Sequence, residues 1–243
     1  MNTNSNTYTI IYTTVVCVLV AAILAIVSGS LASKQQANEK AETISQILTA
    51  AGFADKSEWE ARGNDAIISF YKENICNAYV IDAAGTVKDS LDTASATIYN
   101  LSELKKQNYS VTDAASSQDL ALPVYMFKDS TYVLPVYGAG LWGPVWGYVA
   151  LENDLTTIKG AYFDHASETP GLGGKIKDDP SFRAQFSGKV VDFTDVKPFA
   201  IVKGGAGDKA NGIDAISGAT MTSKGLDAAI NNWLAAYKPY LVK

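Results

Sequence analysis

An α+β fold carried behind a single N-terminal transmembrane helix is what the sequence predicts, and three stretches predict it. Residues 1–33 carry no charged side chain, and from Tyr8 to Ala32 they are dominated by Ile, Val, Leu, Ala, Thr and Tyr. Residues 125–151 form the strongest β region of the chain. Residues 223–237 set Leu226, Ala229, Ile230, Trp233, Leu234 and Tyr237 on one helical face. The chain divides accordingly into a transmembrane anchor (1–33), a helical connector (34–75) and a mixed α/β domain (76–243).

A spanning helix needs about 20 mostly apolar residues, which Thr9 to Val27 supply before Ser28, Gly29 and Ser30 end the run. A cleaved signal peptide is the competing reading, with Gly29 to Ala32 as its small-residue cleavage site. The absence of Lys or Arg ahead of the run argues against it, as does a run longer than the roughly 7 to 15 residues of a signal core. The flanking charges Lys34, Glu39, Lys40 and Glu42 nearly cancel, so they do not orient the span.

Residues 35–51 place Ile44, Ile47, Leu48 and Ala51 at helical spacing, a helix leaving the membrane. Residues 59–75 also read as helical. Ala78 to Asp82, a turn at Gly85 and then Val87 read as a short strand pair. The polar stretch 92–122 reads as surface structure or an insertion and carries no assigned function. Thr131 to Tyr137 and Val145 to Leu151 form a hairpin around Gly138-Ala139-Gly140-Leu141-Trp142-Gly143. That turn matches G-x-G-x-x-G, but the dinucleotide fingerprint requires a helix after it, and here Pro144 and a second strand follow. It reads instead as a turn that exposes Trp142.

Ser167 to Lys175 is too rich in turn formers for regular structure, and it offers backbone N–H groups. A short helix at 179–186 and one or two strands in 188–202 follow. The last helix is expected from about Ser223, with Thr222 or Ser223 as its N-cap.

Composition excludes several functions. The chain has 20 basic and 25 acidic residues, a formal charge of −5, and no basic run to track a phosphate backbone, so nucleic acid is not an expected partner. Cys17 and Cys76 form no disulfide framework or C-x-x-C site, and the lone His165 supports neither a zinc site nor a Ser-His-Asp arrangement. His165 reads as a polar surface residue or a cofactor contact. One span without an ionisable residue offers no ion pathway.

The informative segment is Asp214-Ala215-Ile216-Ser217-Gly218-Ala219-Thr220-Met221-Thr222-Ser223, just ahead of the final helix. Small residues let a ligand approach the backbone, and a helix N-terminus offers free N–H groups and a positive dipole end to a phosphate. By composition alone the segment reads first as an ordinary turn and cap.

Asp214 to Thr220 resembles the flavinylation motif D-x-x-(S/T)-G-A-(T/S), in which a flavin transferase links the phosphate of FMN to the hydroxyl of the last residue. Gly140 to Trp142, Glu168 to Gly173, Phe186 to Lys189, Val202 to Ala206 and Ser217 to Thr220, in this order behind one span, resemble the NqrC family, FMN-carrying components of the sodium-translocating NADH:quinone oxidoreductases. RnfG, a component of the related Rnf complex, shares the 168–173 loop and the acceptor motif. Residues 92–122 have no clear counterpart.

The resemblance implies an FMN-binding domain on the periplasmic side of the bacterial inner membrane, passing electrons between other subunits of a membrane complex. It implies FMN bound as a phosphoester of Thr220, with Ser217, Gly218 and Ala219 making room, Asp214 opening the motif and Thr222 as the nearest competing hydroxyl. Trp142 either packs as a core aromatic or lies against the flavin ring. Glu168 either caps its loop or lines the cofactor with Thr169, Leu172 and Gly173. Lys203 either offsets phosphate charge or is solvated. Two other readings stand beside this one: a non-redox extracytoplasmic scaffold with an empty acceptor site, and a self-contained flavin reductase, for which no nicotinamide site is visible.

Overall fold

The computed structural model describes residues 5–113 and 119–242. These form two compact units, residues 1–40 and 41–243. The first is the helical run that opens α1 (Asn6–Ala50), which is long and apolar enough to cross a membrane. Its apolar side chains from Ile10 to Leu31 are exposed, which in water would be costly and in lipid is not.

The second unit begins inside the same helix. Ile44, Ile47 and Leu48 are fully buried there, followed by α2 (Lys56–Arg62) and α3 (Asn64–Asn74). The helix expected over 59–75 is therefore two. Gly63, at φ 80°, breaks it, a conformation that only glycine adopts without strain. Strands β1 (Ile75–Ile81) and β2 (Val87–Ser90) are the antiparallel pair read from the sequence. The polar stretch contains a helix, α4 (Leu101–Thr112), started by a reciprocal capping box between Asn100 and Glu103. Residues 114–118 of that stretch lie outside the described residues.

Strands β3 (Leu122–Phe127), β4 (Tyr132–Ala139), β5 (Pro144–Leu151) and β6 (Ile158–His165) complete a six-stranded sheet of order β2-β1-β3-β4-β5-β6, with every neighbour antiparallel. The β4–β5 hairpin runs in register from Tyr132 opposite Leu151 to Ala139 opposite Pro144, so the glycine turn joins two strands and leads into no helix. Side chains alternate across the sheet. Val149 and Leu151 join one core cluster, while Tyr148 and Ala150 join another with Ile44, Trp59 and Tyr71.

The short helices α5 (Lys175–Asp178) and α6 (Pro180–Ala184) follow, the second capped by Asp179. The strands expected in 188–202 reduce to β7 (Ala200–Val202), which pairs in parallel with β8 (Gly212–Asp214). Helix α7 (Thr220–Leu241) buries the expected face from Leu226 to Tyr237, each large side chain being worth about 1.5–3 kcal/mol. It lies against β4 so closely that a Cβ on Gly225 would stand 2.0 Å from the Ala139 carbonyl oxygen.

The start of α7 corrects the sequence reading. The N-cap is Ala219, not Thr222 or Ser223, and Thr220 is the first helical residue. Gly218 at φ 79° turns the chain, and the Ser223 hydroxyl accepts the Ile216 N–H from within the helix, anchoring the turn from inside.

Candidate functional site

The first turn of α7 is where most of the residues singled out by sequence converge. Thr220 is half-buried, and its hydroxyl makes no hydrogen bond among the described residues. The hydroxyls beside it differ. Thr222 is 1% exposed and donates to Glu168 Oε2 at 2.5 Å, and Ser223 is buried and bonded to Ile216. Ser217 is exposed, and Ala219 is buried under the turn.

Thr220 lines a cleft of about 360 Å³ between β7 and α7, together with Lys203, Lys224, Lys197 and Asp227. Asp227 accepts the Ile201 N–H and pairs with Lys197. Lys203 and Lys224 have no ion pair among the described residues. Lys224 was not singled out by sequence. Its signal is the i, i+4 spacing from Thr220, visible only once the helix is known to begin at Thr220.

On another side of the turn lies the loop 167–175. Leu172 sits where a Cβ on Gly218 would come within 2.9 Å of it. Glu168 is 4% exposed and joins two elements. Its Oε1 accepts the Trp142 N–H at 2.9 Å and its Oε2 accepts the Thr222 hydroxyl. Gly173 and Gly140 flank this carboxylate, for a Cβ on either would stand 2.4 Å from one of its oxygens. Glu168 thus frames the site from inside. His165 orders the same loop, its Nδ1 accepting the Glu168 N–H at 3.1 Å. The Thr169 carbonyl accepts N–H groups from Leu172 and Gly174, and its own hydroxyl has no partner among the described residues.

Trp142 is 66% exposed, which excludes its reading as a core aromatic. Leu141, Leu172 and Met221, at 49%, 43% and 56%, are also exposed. Asp214 does not join this group. Its carboxylate accepts the Ala206 N–H at 2.6 Å and so fastens the glycine-rich loop after Lys203, while with Ser217 it lines a separate, smaller cleft beside Lys175 and Gln185.

The donor set fits FMN. Among the described residues it holds an unbonded hydroxyl at a helix N-terminus, two ammonium groups without an ion pair for a phosphate, an unbonded Thr169 hydroxyl for a polar edge and exposed apolar side chains for a flat ring.

Residues 140–235 match the family described as the FMN-binding domain. The chain is 33% identical to the NqrC component of the Na(+)-translocating NADH-quinone reductase of Vibrio parahaemolyticus over 245 aligned positions, covering 94% of this chain and 90% of that one. The same component from Haemophilus ducreyi is 39% identical over 128 positions, 49% of either chain. Among solved structures, the NqrC component from Parabacteroides distasonis matches with a TM-score of 0.68 and 33% identity, covering 88% of this chain and 98% of that one. Shewanella oneidensis NqrC matches with a TM-score of 0.64 and 26% identity, covering 84% and 96%. The chain belongs to the NqrC family of the Na(+)-translocating NADH-quinone reductase, and its cofactor is FMN.

Proposed function

We infer that the chain is the electron-transfer subunit that carries FMN as a phosphoester of Thr220 Oγ1, on the periplasmic side of the bacterial inner membrane. Residues 1–33 anchor it, the helical segment 34–75 leads from the anchor, and residues 76–243 carry the cofactor. The other subunits of the complex donate and accept its electrons, and a flavin transferase loads it.

The observation that carries this reading is the contrast between hydroxyls. Thr220 lines a cationic cleft and its hydroxyl is unbonded among the described residues, whereas the hydroxyls of Thr222 and Ser223 are buried and engaged. In the loading step the Thr220 oxygen gives up its proton and forms the new bond to phosphorus. The donor must carry that phosphorus in an activated form, with a leaving group better than water. FMN once attached supplies the one-electron chemistry.

The chain's own residues bind and orient. Trp142 and Leu172 offer apolar surface to the ring, and the Thr169 hydroxyl offers a donor to its polar edge. Glu168 holds the loop and the first turn of α7 together through Trp142 and Thr222, with Gly173 packed beside it. Gly218 and Ala219 keep side-chain bulk away from Thr220, Ser217 and Asp214 shape the turn before it, and Lys203 offsets phosphate charge. The apolar span of α1 carries no Asp, Glu, Lys, Arg or His, so an ion pathway belongs to partner subunits.

The test is in-gel flavin fluorescence under denaturing conditions, with wild type and Thr220→Ala each co-expressed with a flavin transferase. A fluorescent wild-type band that is lost in the variant is expected. A dark wild type, as a scaffold with an empty acceptor site would give, or a variant that stays fluorescent, overturns the reading.

A further inference from the structure

Within the β7–α7 cleft the charges do not balance. Four charged side chains line it, namely Lys197, Lys203, Lys224 and Asp227. Asp227 is only 14% exposed and is engaged twice, by the Lys197 ammonium and by the Ile201 N–H, so it neutralises Lys197 and presents no free anion. Two ammonium groups, Lys203 and Lys224, remain without an ion pair among the described residues, on a cleft that Thr220 also lines. Lys203 follows the end of β7. Lys224 stands one turn beyond Thr220 on the same face of α7, a spacing that brings side chains within about 5–6 Å at Cβ. The positive end of the helix dipole adds to the same field.

Resting on the assignment of Thr220 as the flavin attachment site, we propose that Lys224 is a phosphate-binding residue. It acts with Lys203 on the non-bridging phosphate oxygens, which point into the β7–α7 cleft and away from the Leu172 side of the turn. Two exposed cations lining one cleft suit a phosphate monoester before attachment, with up to two negative charges, as well as the singly charged diester afterwards. The ring contributes nothing to this contact, so the cleft discriminates between flavins by their phosphate alone.

The experiment uses the full-length chain produced without a flavin transferase, so that Thr220 keeps its free hydroxyl, and titrates it separately with FMN and with riboflavin by flavin fluorescence. Wild type is expected to bind FMN more tightly than riboflavin. Lys224→Gln should weaken FMN by about two- to fivefold, the range of a solvent-exposed ion pair, and leave riboflavin unchanged. Lys224→Arg should restore most of the loss, and Lys203→Gln combined with Lys224→Gln should remove the discrimination. Equal weakening of both flavins by Lys224→Gln, unchanged FMN affinity, or a wild type that does not distinguish the two flavins overturns the proposal. Failure of the covalent reading appears elsewhere, as a fluorescent band that survives Thr220→Ala.

Discussion

The Glu168 carboxylate accepts a 2.5 Å hydrogen bond from the hydroxyl of Thr222, 54 residues further along the chain, and both side chains are buried. Its other oxygen holds the Trp142 N–H, so one side chain ties the β4–β5 turn to the first turn of α7.

Removing that carboxylate leaves two donors without a partner. Glu168→Ala is expected to lower stability by about 2–4 kcal/mol in urea unfolding of the full chain, and Glu168→Gln, which keeps an acceptor, by less. An alanine variant that unfolds with wild type would remove the link from the account.

The two threonines of the first turn should separate cleanly. Thr222→Val deprives a buried carboxylate of a donor and should cost about 1.5–3 kcal/mol, whereas Thr220→Val, which breaks no hydrogen bond, should stay within about 0.5 kcal/mol. Thermal unfolding of both variants, prepared without flavin, measures the difference.

Gly225 sets how closely α7 approaches β4. A Cβ there would stand 2.0 Å from a backbone oxygen that no rotamer change can move away. Gly225→Ala is therefore expected to cost about 1–3 kcal/mol and to shift the first turn of α7, reducing the fluorescent fraction of the co-expressed chain. Loading and stability equal to wild type would mean that the helix can retreat freely.

Acid should act through aspartates that hold turns. Burial pushes the pKa values of Asp129 and Asp154 up, but hydrogen bonds outweigh it and leave both lowered, from Lys159 and Thr131 at Asp129 and from Thr157 and Thr156 at Asp154. A lowered folded value stabilises fully above the unfolded value, about 3.9, and is lost as pH falls through the folded one. Stability should therefore fall below about pH 4, and the fall should be shallower in Asp129→Asn combined with Asp154→Asn. An unchanged acid limb in the double variant would assign the loss to other carboxylates.

Periodicity and composition were enough for what is local. The charge-free run of residues 1–33, the β4–β5 hairpin, the turn at Gly85 and the apolar face of α7 each depend on neighbours within one or two turns or strands, and each is legible in the order of residues. The segment ending at Thr220 stood out only by its resemblance to an acceptor motif, because small residues ahead of a helix are also an ordinary turn and cap. Strand β6 carries no such signal. Its Lys159 and Gly160 break the apolar run, and it forms by pairing with β5. The three-residue strands β7 and β8 were similarly too short to show a period.

Residue order alone shows the apolar span, the β4–β5 hairpin, the apolar face of α7 and a segment that resembles an acceptor motif, but neither α4 nor β6. Which hydroxyl is open is a matter of tertiary packing. The first residue of α7 depends on the turn at Gly218 and on Ser223 reaching back to Ile216, and Thr222 is closed off by a carboxylate from a distant loop. Packing likewise brings Lys224 to the same cleft as Lys203, whereas the glycine turn already pointed to an exposed Trp142. One cause underlies the closing of Thr222 and the meeting of Lys224 with Lys203. A side chain's exposure and hydrogen-bonding state are set by groups far away in the chain, and no pattern of adjacent residues encodes them.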